Sequence, residues 1–182
     1  MGEIKSTLDL VMEKTKHLSF TKEEREAQRG KETRKSIKGL VQKFTDRTID
    51  LDEFKQKLKS LEQPPVLSIK TLVLSEILDR IDTDRDNSRL FVLLRDVCGK
   101  NTDHLEAVLE EFTQAISSAK EKRLQEIKHD ISNKYGIGGS AVVPNLQADT
   151  LWLKESEKTR RVFREKLSKE IASLRPKGAD QR

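Results

Sequence analysis

The chain has 182 residues, 37% of them charged and 34% hydrophobic, with six Phe, one Tyr and one Trp as its aromatic complement. Leu, Ile and Val recur at helical spacing throughout, which excludes wholesale disorder, while eight Gly and four Pro are too few turn residues for an all-β fold. The single cysteine, Cys98, excludes an internal disulfide, and the formal net charge of +5 sits mostly toward the two ends of the chain.

The first predicted helix runs from about Glu3 to Leu18, with Ile4, Leu8, Val11, Thr15 and Leu18 in one narrow stripe suited to packing on another helix. Thr21-Lys22-Glu23-Glu24 then reads as a capping box opening a second helix. From Lys22 to Ser36 its only apolar side chain is Ala27, and Gly30 and Gly39 weaken it further. Residues 22–36 therefore read as a mobile arm or a segment that orders on a partner. Ile37, Leu40, Val41 and Phe44 restore an apolar face. Asp50 caps a short third helix with Leu51, Phe54, Leu58 and Leu61 on one side, and Pro64-Pro65 ends it.

Residues 66–119 carry the densest apolar material, in helices apolar on nearly all sides and so expected to be buried. Asn101-Thr102-Asp103 opens a long helix to Tyr135, which would span ~45 Å. Gly136 stops it, as a left-handed glycine does. Asp149 caps the last helix, whose apolar side is Trp152, Thr159, Phe163, Leu167, Ile171 and Leu174. The expected fold is all-α: an N-terminal helical segment over 1–63, then a helical bundle over 66–182. Its main feature is a long antiparallel hairpin (103–135 and 149–174) joined by the 136–148 loop. The arm and hairpin together predict an elongated particle or a dimer.

Several motifs dissolve on inspection. Asp82-Thr83-Asp84-Arg85-Asp86 resembles the start of a calcium loop, but Asn87 replaces the glycine at position 6 and Leu93 the glutamate at position 12. It reads as a turn in which Asp84 or Asp86 caps the next helix. Gly136-Ile137-Gly138-Gly139-Ser140-Ala141 fits a loose dinucleotide pattern, yet a charged helix precedes it instead of a strand. His17, His104 and His129 have no metal-ligand spacing, and Cys98 lies in an apolar helix with nothing to stabilise a thiolate. No catalytic, metal or cofactor constellation emerges, so the expectation is no enzyme and no cofactor.

Two surfaces remain. The uncharged connection offers Ile137, Val142, Val143 and Leu146, with Trp152 beneath, either as a plug on the hairpin tip or as a partner-binding site. The last helix carries a basic row of Lys154, Lys158, Arg161 and Lys169, flanked by Arg160, Arg164 and Lys166. The sequence thus points to a non-enzymatic helical adaptor or assembly subunit. It would bind a protein partner, or a second copy of itself, through the hairpin tip and the N-terminal helix. The alternative is an RNA- or ribosome-associated protein using its basic terminal helices, with weak affinity because glutamates interrupt the row and its aromatics lie on the apolar side. No apolar run approaches the ~18 residues of a membrane span and the start lacks a signal-peptide core, so a cytoplasmic location is expected.

Overall fold

The computed structural model describes residues 21–61 and 69–175. Helices account for 77% of them, and no strand occurs among the described residues. The expected all-α helical bundle is what forms. The chain divides into two compact units between Leu72 and Val73. The predicted stripe of Ile4, Leu8, Val11, Thr15 and Leu18 and the predicted break at Pro64-Pro65 lie outside the described residues.

In the first unit, α1 (Lys22–Thr45) starts at the predicted capping box. Thr21 Oγ1 accepts from the Glu24 amide at 3.1 Å, and Glu24 Oε2 accepts from the Thr21 amide at 2.8 Å. Residues 22–36 are an unbroken part of this helix, although Ala27 is their only apolar side chain. The physical reason is cooperativity: the buried Ile37, Leu40, Val41 and Phe44 hold a nucleus, and extension from it costs little once a cap closes the far end. Arg47, at a φ of 60°, turns the chain into α2 (Leu51–Ser60), which Asp50 caps by accepting from the Glu53 amide at 2.8 Å. Phe44 and Phe54 meet edge-on with centroids 5.6 Å apart, and Leu58 and Ile49 are buried with them.

The dividing point falls inside α3 (Ile69–Leu78). In the second unit its Val73, Leu74, Ile77 and Leu78 are buried, as are Leu90, Phe91, Leu93 and Leu94 of α4 (Ser88–Asp96). The 33-residue α5 (Asp103–Tyr135) and the 25-residue α6 (Thr150–Leu174) form the hairpin. Their direction follows from three pairings: Arg123 reaches Asp149, Phe112 meets Phe163 at a tilt with centroids 5.6 Å apart, and Glu111 meets Lys166. Partners later in α6 lie earlier in α5, so the two run antiparallel.

Polar groups buried in this unit are satisfied locally. Thr102 donates to Glu106 at 2.6 Å and accepts from Arg95, which also reaches Glu106 at 2.6 Å. Ser156, buried in the second turn of α6, donates to its own helix at the Leu153 carbonyl. No buried side-chain nitrogen or oxygen among the described residues lacks a partner.

Candidate functional site

The end of the hairpin is built from backbone rules. Gly136 takes the left-handed conformation (φ 66°), and its amide donates to the Ser132 carbonyl at 2.9 Å, closing α5. A glycine suits this position because a Cβ is disfavoured there. The chain then runs without charge to a single 3-10 turn at Leu146–Ala148, where Asn145 Oδ1 accepts from the Gln147 amide. Asp149 begins α6 by accepting from the Trp152 amide at 2.6 Å.

Asp149 has a second role that the sequence did not reveal. Arg123 donates to it twice, from Nε to Oδ1 at 3.0 Å and from Nη2 to Oδ2 at 2.8 Å. The two side chains are only 14% and 18% exposed, and Glu126 takes a third guanidinium donor at 2.9 Å. The Arg123 hydrogen bonds, helped by the Trp152 amide, hold the Asp149 carboxyl below the usual carboxylate range. The same bonds push the Arg123 guanidinium upward, so the pair stays ionised. No local pattern signals such a contact, because the partners are 26 residues apart.

The tip residues singled out from the sequence divide into two groups. Val142, Leu146 and Trp152 are half-buried. Ile137 and Val143 face solvent at 54% and 84% exposure. Four more large hydrophobics are exposed: Tyr135 at 63%, Leu151 at 57%, Leu153 at 49% and Val162 at 43%. All six fall within residues 135–162, on the hairpin tip and the first half of α6. Sequence reasoning overlooked Leu151, Leu153 and Val162. Their signal was present, since they stand off the three-and-four apolar side that carries Trp152, Phe163 and Leu167.

The basic row also divides. Arg160 and Arg164 donate to the same carboxylate, Asp84, at 3.2 and 3.1 Å, and Lys166 reaches Glu111 at 3.0 Å while lying over the Phe163 ring. Lys154, Lys158, Arg161 and Lys169 are free of ion pairs among the described residues and are exposed. Two shallow depressions flank them. One is lined by Leu153, Lys154, Glu157, Lys158 and Arg161, and the other by Leu151, Lys154 and Lys158 beside Arg123, Glu126 and Glu155.

Asp84 owes its position to the turn before α4. Buried Asn87 donates to the Asp82 and Arg85 carbonyls at 2.7 and 3.0 Å, and Asp82 Oδ1 accepts from the Asp84 amide at 3.1 Å. The N-cap position of α4 falls to Asn87, whose side chain makes no cap bond, so neither Asp84 nor Asp86 caps the helix as expected; Asp86 instead closes an Asx-turn, accepting from the Ser88 amide at 2.9 Å. Asp84 does not cap: it is turned outward to α6. Partial burial pushes its carboxyl up, but the hydrogen bonds and charges of Arg160 and Arg164 outweigh this and hold it below its ordinary value.

Among the described residues no group of His, Cys, Asp and Glu could hold a metal ion, and no helix is long and apolar enough to cross a membrane. Cys98 is half-buried, and His104 and His129 lie on the surface of α5, where His129 pairs with Asn133. Comparisons with known families, curated proteins and solved structures returned no match.

Proposed function

We propose that this protein is a non-enzymatic helical adaptor or assembly subunit that binds another protein through the tip of its helical hairpin. The observation that carries this reading is the concentration of exposed apolar side chains. Scattered exposed leucines are ordinary on any surface. Here every exposed large hydrophobic among the described residues lies between Tyr135 and Val162, on the hairpin tip and the first half of α6. A localised apolar surface on a well-capped scaffold is the usual form of a protein-binding site.

Local construction supports it. The Arg123–Asp149 pair and the two caps fix the ends of the connection, so Ile137 and Val143 are presented from a defined frame. The N-terminal stripe of Ile4, Leu8, Val11 and Leu18, read from the sequence, is the second contact in this proposal. The nucleic-acid reading is the less favoured, because two of its arginines are already committed to Asp84.

The test is affinity purification of the tagged, full-length protein from its native cells, followed by mass spectrometry. The comparison variant is Ile137→Ser with Val143→Ser. Both side chains are largely exposed, so the pair should fold and melt like the parent. The reading expects one or more proteins held stoichiometrically by the parent and lost from the variant. Identical recoveries from both would sink it.

A further inference from the structure

We infer that the outer side of α6, from Leu151 to Val162, is a docking surface for an acidic, leucine-bearing helix of a partner protein. This rests on the adaptor reading above and specifies the chemistry of what is bound. Leu151, Lys154, Lys158 and Arg161 follow one another at steps of three, four and three, which places them along one side of the helix. Leu153 and Val162, half a turn apart around the axis, stand on opposite edges of that side, and both are exposed. The strip rises roughly 17 Å along the axis, about three turns, the span over which a docked helix presents one set of anchors.

Charge complementarity selects the occupant. Lys154 and Lys158 form the ridge between the two depressions, and each depression also has an exposed leucine in its wall. The three cations of the strip have no ion-pair partner among the described residues, although carboxylates stand close by. Glu157 is turned toward Arg164 at 3.9 Å, and Glu126 is taken by Arg123. Glu155 is the one rim carboxylate with no cation on it among the described residues. The surface therefore offers Leu151 in line with three cations that no carboxylate among the described residues pairs, Leu153 and Val162 along its two edges, and Glu155 as the one unpaired carboxylate on its rim.

A partner helix with leucines toward the strip and Asp or Glu on its flanks satisfies both. It covers apolar area while placing carboxylates beside Lys154, Lys158 and Arg161. A nucleic acid would use the cations but not the leucines. The only exposed aromatic for stacking among the described residues is Tyr135, at the far side of the connection.

The test uses the full-length protein and a fluorescein-labelled synthetic helix bearing leucines at three-and-four spacing with glutamates on both flanks. A scrambled peptide of the same composition is the control, and a labelled oligouridylate is the nucleic-acid probe. The expected result is saturable binding of the patterned helix, at least about tenfold tighter than the scrambled one. It should weaken by about tenfold or more with Lys154→Glu, Lys158→Glu and Arg161→Glu together, and again with Leu151→Ser plus Leu153→Ser. Circular dichroism checks that each variant retains its helix. The inference is overturned if the scrambled peptide binds as well, if the charge reversal leaves binding unchanged, or if neither probe binds. It is also overturned if oligouridylate binds more tightly than the patterned helix at ~150 mM salt, because phosphate is then the preferred ligand. Failure here leaves the adaptor reading standing wherever the Ile137→Ser, Val143→Ser variant still loses its protein. If that variant loses nothing while the patterned helix behaves as expected, the tip is wrong and the α6 strip stands.

Discussion

Arg123 grips Asp149 with two guanidinium hydrogen bonds, and that carboxylate also caps the helix it begins. One side chain thus performs the local task of starting α6 and the tertiary task of fastening α6 to α5. The pair lies where the uncharged connection ends, so the geometry of the proposed partner site depends on it.

A pH dependence follows from this double use. The folded-state Asp149 carboxyl titrates below its unfolded value of about 3.9, so its contribution is complete above that value. It is lost as pH falls through the lower, folded value, because the proton then binds the unfolded chain preferentially until both forms are protonated. Thermal melts recorded from about pH 6 down to about pH 2 should show the parent losing more stability below pH 4 than Asp149→Asn. The asparagine can still accept from the Trp152 amide but cannot pair ionically with Arg123. Parallel curves for the two proteins would show that the ion pair contributes nothing to folding.

Two glycines should respond to alanine in opposite directions. Gly39 lies inside α1 with open space where a methyl group would project, so Gly39→Ala removes only the entropy cost of glycine in a helix. The expected gain is about 0.5–1 kcal/mol. Gly136 also has open space, but its φ is 66°, where an L side chain is strained. Gly136→Ala should cost roughly 1–2 kcal/mol. Urea denaturation of the two variants checks both signs. A stabilised Gly136→Ala would mean that the left-handed closure of α5 is not maintained in solution.

These contrasts bear on what could be read from the chain itself. Thr21, Asp50, Gly136 and Asp149 were legible because capping depends on residues two to four positions apart. The antiparallel hairpin was legible because one loop joined two helices with matching apolar sides. The Asp84 contact with Arg160 and Arg164 was not legible, since 76 and 80 residues separate the partners. The sequence offered a row of cations, and only the fold shows which ones a carboxylate already occupies. Leu151, Leu153 and Val162 were hidden differently. A periodicity search collects the residues that agree with the apolar side and passes over those that stand off it, which are the ones free to bind.

The division of the cations leads to the final prediction. Asp84→Asn keeps the size of the side chain and removes the charge that faces Arg160 and Arg164. The contact is partly exposed and screened by solvent, so the stability loss should be small, within about 1 kcal/mol. The effect on polyanion binding should be larger. The parent presents Lys154, Lys158 and Arg161 to an RNA strand, whereas the variant adds two arginines on an adjoining part of the same helix. Each additional phosphate contact on single-stranded nucleic acid steepens the logarithmic salt dependence by about 0.7. Fluorescence anisotropy with labelled oligouridylate over a salt series should therefore give a slope steeper by about 0.7 to 1.4 for Asp84→Asn, the upper figure where Arg164 also leaves Glu157 for phosphate, with tighter binding at low salt. Equal slopes would show that Arg160 and Arg164 are unavailable to phosphate even when Asp84 is neutral. A steeper slope would identify Asp84 as the residue that keeps a basic helix from acting as a nucleic-acid surface.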